Sequence, residues 1–186
     1  YDEVKERVDN HVSGINSDEK YRLMFSEIPP WHSLAIFDRL AERGWNFVIE
    51  SWGYHPPVPI DLTGINDPLE RLAKFCFQFS TGYYEGAFKE GETYGYHAYP
   101  HLVFARDWKI DGAFFHPIVT CRSASTQLPY TRDMLMRKAS IPSLMIEGDI
   151  VDLRLFDSAD ALRKAEPFEE TMEHYREERK KRGFDW

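Results

Sequence analysis

Ile110-Asp111-Gly112-Ala113-Phe114-Phe115-His116-Pro117-Ile118-Val119-Thr120-Cys121-Arg122-Ser123 is the stretch whose reading decides the fold. Its apolar run over 112–119 is short and bounded by turn residues, which predicts a strand buried on both faces. A second such run follows at 143–147 and leads into Gly148-Asp149-Ile150-Val151-Asp152. Between the two, Ser123 or Ser125 can cap a helix reaching about Lys138. A strand, a helix and a strand in this order predict a parallel pair. Both strands stop at polar clusters, one carrying a thiol and the other the carboxylates of Glu147, Asp149 and Asp152. Ligands of open parallel sheets collect at the carboxyl ends of strands, so the chemistry is expected there.

The flanking sequence extends the pattern. Tyr21 to Phe25 reads as a first strand, closed by Ser26-Glu27-Ile28-Pro29-Pro30, and Trp31 to Arg43 as a helix stopped at Gly44. Trp45 to Ile49 is a second strand, left by the loop Glu50 to Pro57. Asn66-Asp67-Pro68 starts a helix in which Leu69, Leu72, Ala73 and Cys76 share one face, which is expected to bury Cys76 in the core. The Gly- and Tyr-rich run from Thr81 to Tyr99 has weak periodicity and is expected to be a long ordered loop or lid. Pro100 to Lys109 predicts a helix that delivers the chain into the strand at 112, and Pro167 divides a final helical region. Four strands joined by right-handed crossovers favour the order 2-1-3-4. The expectation is a single α/β domain over 1–186, three-layered and flavodoxin-like. Residues 27–32 and 116–122 would line the crevice where the chain reverses direction.

Composition narrows the function classes. Apolar residues make up 42% of the 186 and aromatic residues 15%, which argues for a packed core. A net charge of −8 speaks against a nucleic-acid surface. No run approaches the roughly 20 apolar residues of a membrane span, and two dissimilar cysteines make no disulfide framework, so a cytoplasmic protein is expected. The chain starts at Tyr1 within a charged helical pattern, so it is expected to be part of a longer polypeptide.

Cys121 follows a strand, precedes a helix start and has Arg122 beside it, and both features favour thiolate. It is a candidate nucleophile with His116 or His32 as base, or a metal ligand, or a buried strand-end thiol. Glu147, Asp149 and Asp152 read equally as acid–base groups or as loop and helix caps.

The run 120–123, followed by Ser140-Ile141-Pro142-Ser143-Leu144-Met145-Ile146-Glu147-Gly148-Asp149-Ile150-Val151-Asp152-Leu153-Arg154, resembles the carboxyl-terminal signature of the benzoyl-CoA reductase and 2-hydroxyacyl-CoA dehydratase family. Arg22 to Trp31 and Ala165 to Glu170 are similar to that family's pattern as well. The resemblance implies an acyl-CoA substrate, a [4Fe–4S] cluster, a homologous second subunit, and an ATP-hydrolysing iron–sulfur activator that supplies electrons. It implies that Cys121 is a cluster ligand and that the cluster's other cysteines sit in an amino-terminal domain, absent here. His116, His32 and Glu147 are then the candidate proton donors, and Pro30, Trp31 and Arg122 the expected substrate contacts. Two alternatives are a thiol enzyme using Cys121 with His116, and a non-catalytic flavodoxin-like partner subunit.

Overall fold

The computed structural model describes residues 1–54, 60–89, 91–92 and 95–186, without the side chains of 95–97. Helix α1 (Asp2–Asp9) leads to strand β1 (Tyr21–Ser26), a 3₁₀ turn (Trp31–Ser33), α2 (Ala35–Ala41) and β2 (Trp45–Glu50). Then come α3 (Pro68–Lys89), α4 (Gly95–Asp107), β3 (Gly112–Phe115), α5 (Arg122–Ser125), α6 (Leu128–Ala139) and β4 (Ser143–Met145). A second 3₁₀ turn (Leu153–Leu155), α7 (Ser158–Ala165) and α8 (Phe168–Lys181) close the chain.

The strands form one parallel sheet in the order β2-β1-β3-β4, as expected. Its centre is buried on both sides, so the period-two alternation of each strand sorts apolar residues into two cores. Leu23, Phe25 and Phe114 point to the side holding Leu40, Ala161 and Met172, which come from α2, α7 and α8. Met24, Ala113 and Phe115 point to the other, where Leu102 of α4 and Leu135 of α6 pack. Helix α8 lies very close to the sheet at Gly112, where a Cβ would come within 2.7 Å of the Met172 sulfur.

Prolines set two boundaries that periodicity alone misjudged. β3 ends at Phe115 rather than 119, because Pro117 has no N–H to continue the ladder. Pairing returns as an isolated bridge between Ile118 and Gly148. The helix expected from a cap at Ser123 or Ser125 to about Lys138 is instead two, α5 and α6, broken ahead of Pro129.

The region from Thr81 to Tyr99 is a correction. α3 runs on to Lys89 and α4 begins at Gly95, so most of the expected loop is helix; Tyr94 and the side chain of Tyr96 lie outside the described residues, as does His55 to Pro57. Aromatic side chains outweigh the weak period here, since Phe79 and Tyr83 make an edge-to-face pair at 4.9 Å. Cys76 is a second correction: it is exposed. Its stripe is buried at Tyr83 and Ala87, but at Leu69, 76% exposed, and Leu72 it is uncovered. α3 has 22 residues and α4, its packing partner, has 13, so α4 is too short to cover all the turns of α3.

The chain exposes 11164 Å², against roughly 9,300 Å² for a compact monomer of this mass. The first half of α3, and α1, which buries no residue, account for the direction of that excess. No helix of the described residues is long and apolar enough to cross a membrane.

Asp111 just before β3 is the polar anchor of the amino side. Its carboxylate accepts from Arg176 at 2.7 and 3.0 Å, from the fully buried Arg179 at 2.6 Å, and from the Arg22 N–H at 3.0 Å. Asp111→Ala leaves Arg179 buried without its partner and is expected to cost about 3–5 kcal/mol. The exposed pair of Arg154 and Asp152 is the control: Arg154→Ala should leave the urea midpoint unmoved.

Candidate functional site

Four loops meet at the carboxyl edge of the sheet, and backbone bonds stitch three of them together. The His116 N–H donates to the Ser26 carbonyl at 3.2 Å, the Gly148 N–H to Pro117 at 3.1 Å, and the Val119 N–H to Gly148 at 2.9 Å. Side chains finish the work. His116 is 1% exposed, and its Nδ1–H donates to the Ile28 carbonyl at 2.8 Å. His32 donates from Nε2 to the Asp149 carbonyl at 3.0 Å and accepts at Nδ1 from the Ser33 hydroxyl at 2.8 Å. Both imidazoles therefore tie loops across the expected crevice, and Phe156 packs against each ring.

Burial sets the character of His116. Its pKa lies below the usual imidazole value, chiefly because desolvation disfavours the cation. Its Nε2 is buried and has no hydrogen-bond partner among the described residues. Gly148 is what makes room for that nitrogen, since a Cβ there would fall 2.7 Å from it and 2.8 Å from the Phe156 ring.

Asp149 organises the loop after β4. It accepts from the Thr120 hydroxyl, from Val151 N–H at 2.9 Å and from Asp152 N–H at 3.2 Å. The Thr120 hydroxyl bond and the two backbone N–H groups hold its pKa well below the ordinary carboxylate range. Asp152 caps the following 3₁₀ turn through the Arg154 N–H. Two of the three clustered carboxylates are thus caps, while Glu147 is exposed.

Cys121 sits in the loop beyond β3 at the N-cap of α5, half-buried, with its N–H donating to Ile118 at 3.0 Å. α5 is a single turn, so its dipole adds little to the thiol. Arg122 and Trp31, 60% exposed, stand on the surface, and Pro30 is buried beneath. Among the described residues no group of three His, Cys, Asp or Glu side chains could hold a metal ion.

A second constellation lies at the ends of β1 and β2. Glu27 is 8% exposed, adopts φ 73°, and has its pKa raised to about 7 by burial and then by Glu50. The Glu50 carboxylate accepts from the N–H groups of Trp52 and Gly53. Behind them the Ser26 hydroxyl meets His101 Nε2 at 2.7 Å, in the buried layer under α4. An open, mostly apolar cleft of about 470 Å³ adjoins Glu50, with Pro29, Phe37, Phe47 and Tyr54 in its walls. Glu27 belongs to the run 27–32 expected to line the crevice, but nothing in the sequence singles it out, because a glutamate before two prolines looks like an ordinary loop residue.

The sequence model of the family described as 2-hydroxyglutaryl-CoA dehydratase, D-component, matches residues 1–172. The chain belongs to that family. The (R)-2-hydroxyglutaryl-CoA dehydratase subunit alpha of Acidaminococcus fermentans is 25% identical over 173 residues, covering 92% of this chain. The chain spans 33% of that relative's length. Family membership agrees with the resemblance carried by the loops after β3 and β4.

Two outcomes test the loop geometry. Gly148→Ala should cost about 1–3 kcal/mol by overpacking against His116 and Phe156, read as a lowered unfolding midpoint. Asp149 has a depressed folded pKa, so its stabilisation is present above the unfolded value of about 3.9 and is lost as pH falls through the folded one. Asp149→Asn should therefore melt below the parent at pH 7, with the gap closing as the solution is acidified below about pH 4.

Proposed function

We propose that these residues form the carboxyl-terminal α/β domain of a subunit of a 2-hydroxyacyl-CoA dehydratase, with Cys121 giving one thiolate to an iron–sulfur cluster. The described residues do not fit a whole cluster. They offer the half-buried thiol of Cys121 and, away on the projecting helix α3, the exposed thiol of Cys76. A [4Fe–4S] cluster needs about four such ligands, so the others would come from outside these residues. The observation that carries the reading is Cys121 itself: a half-buried thiol in the loop after β3, which backbone bonds pin, in a chain of this family. Such a loop presents sulfur at a fixed point, as a rigid ligand site requires.

The remaining assignments follow from the same reading. The exposed Trp31 and Arg122 would meet the acyl-CoA, with Pro30 stiffening the loop behind them. The exposed Glu147 is a proton carrier at the rim, while His116 and His32 hold the loops that present it. The relative's name favours a 2-hydroxyacyl over an aromatic thioester. A cytoplasmic multi-subunit enzyme is the setting, with a homologous second subunit and an ATP-hydrolysing iron–sulfur activator as partners. The surface excess and uncovered α3 stripe support a domain that works within a larger body.

The test is iron content of the intact subunit purified without oxygen. Cys121→Ser should lose most of the iron and sulfide while its melting temperature holds, because a harder serine oxygen suits iron–sulfur ligation poorly. Cys76→Ser should change neither, since that thiol is exposed. Full iron and full activity in Cys121→Ser would remove the basis of the assignment.

A further inference from the structure

Glu27 combines three features that each work against stability. It is a non-glycine residue at φ 73°, a backbone region that L side chains rarely adopt. Its side chain is buried, and no described residue donates a hydrogen bond to its carboxyl group. The group beside it, Glu50, carries like charge. Strain and an unpartnered buried acid at one residue are the pattern found where function holds a group in place.

Its position is equally specific. Glu27 follows the last residue of β1, a central strand with parallel neighbours on both sides, at the point where strand order reverses. Its own N–H donates to the Ser51 hydroxyl at 3.3 Å, which fixes the backbone from which the side chain projects. Glu50 faces it from β2, His101 lies behind it on α4 through Ser26, and His116 comes from the β3 loop to the Ser26 carbonyl. Of these, Glu50 is engaged by two backbone N–H groups, and burial disfavours the cation of His116. Glu50, and Pro29 of the Glu27 loop, line an apolar cleft of a size that takes small organic ligands.

We propose that Glu27 is a catalytic acid at this crevice, carrying the proton that a departing hydroxyl group of a 2-hydroxyacyl thioester takes up. The assignment rests on the dehydratase reading. In the elimination the C2–O bond breaks with its electron pair on oxygen, and the Glu27 carboxyl proton turns the departing hydroxide into water. The C3–H bond supplies the electron pair of the new C2=C3 double bond, and its proton is returned to the Glu27 carboxylate. Net, one water leaves, and Glu27 ends as it began. A carboxyl with a proton affinity near neutrality suits this task, because it is still protonated at the working pH and yet gives its proton up readily.

The test uses the intact, activated enzyme with 2-hydroxyglutaryl-CoA as the probe. In the wild type, kcat should fall as pH rises through about 7, where Glu27 loses its proton. Glu27→Gln should lower kcat about 100-fold or more with little change in KM, and the limb near pH 7 should vanish from what activity remains. Glu27→Asp should recover part of the rate and restore the limb, which a structural role would not do. Stability should move the other way. The raised pKa makes the folded state lose stability as pH rises from the unfolded value towards about 7. Glu27→Gln should thus melt above the wild type at pH 8 and level with it at pH 4. Glu27→Gln with kcat within threefold of wild type and an unaltered pH profile would overturn the assignment. So would a wild-type Glu27 carboxyl that titrates in the ordinary glutamate range by infrared difference spectroscopy. A wild-type enzyme inactive on the thioester overturns instead the dehydratase reading and the substrate named here, and the titration then decides the proton-holding role by itself.

Discussion

The structure depends on the buried carboxylate of Asp111. It receives Arg176 and Arg179 from α8 and the Arg22 N–H from β1. Arg179 carries the connection further, to the carbonyl of Ser140 at the start of the turn into β4. One anionic group thereby fixes β1, β3, the α6–β4 turn and the last helix at the amino side of the sheet. Arg176 adds its guanidinium over the Tyr21 ring at 4.6 Å. Removing one member of such a set leaves a buried charge, which makes the arrangement specific even if its net contribution is small. The close approach of α8 at Gly112 follows from being held there.

With one end of the sheet locked by charge, the other is free to carry loops with chemistry. There the two most perturbed carboxylates are treated in opposite ways. Asp149 collects a hydroxyl and backbone N–H groups and stays ionised. Glu27 collects burial and a like charge and retains its proton far above the ordinary range. The first stabilises the fold and orders the loop beside Cys121; the second opposes folding. A group that opposes folding at a strand end where ligands gather is the natural candidate for chemistry.

Much of the fold was legible because parallel strands buried on both faces read as short apolar runs, and because caps and prolines punctuate the chain. The cap at Asp67 accepts from Leu69 and Glu70 N–H groups as the motif suggests. The run from Thr81 to Tyr99 was not legible, since α3 and α4 meet where the Tyr99 ring lies on Gly86 rather than along one clean apolar stripe. The residues of the candidate site were partly legible. Cys121 stood out by its neighbours in sequence, whereas the roles of His116 and His32 depend on carbonyls 88 and 117 residues away.

By itself the sequence determined the strand pattern, the order 2-1-3-4, and the thiol at the end of the β3 loop. All three depend on local periodicity, turn chemistry and the handedness of crossovers, which neighbouring residues encode. Tertiary structure decided which polar groups are buried and what they meet. It left the apolar stripe at Cys76 uncovered, made the two histidines into loop ties, and turned Glu27 into a proton-holding acid. Burial and charge proximity are properties of residues brought together from β1, β2, α4 and the β3 loop, and no local window of sequence contains them.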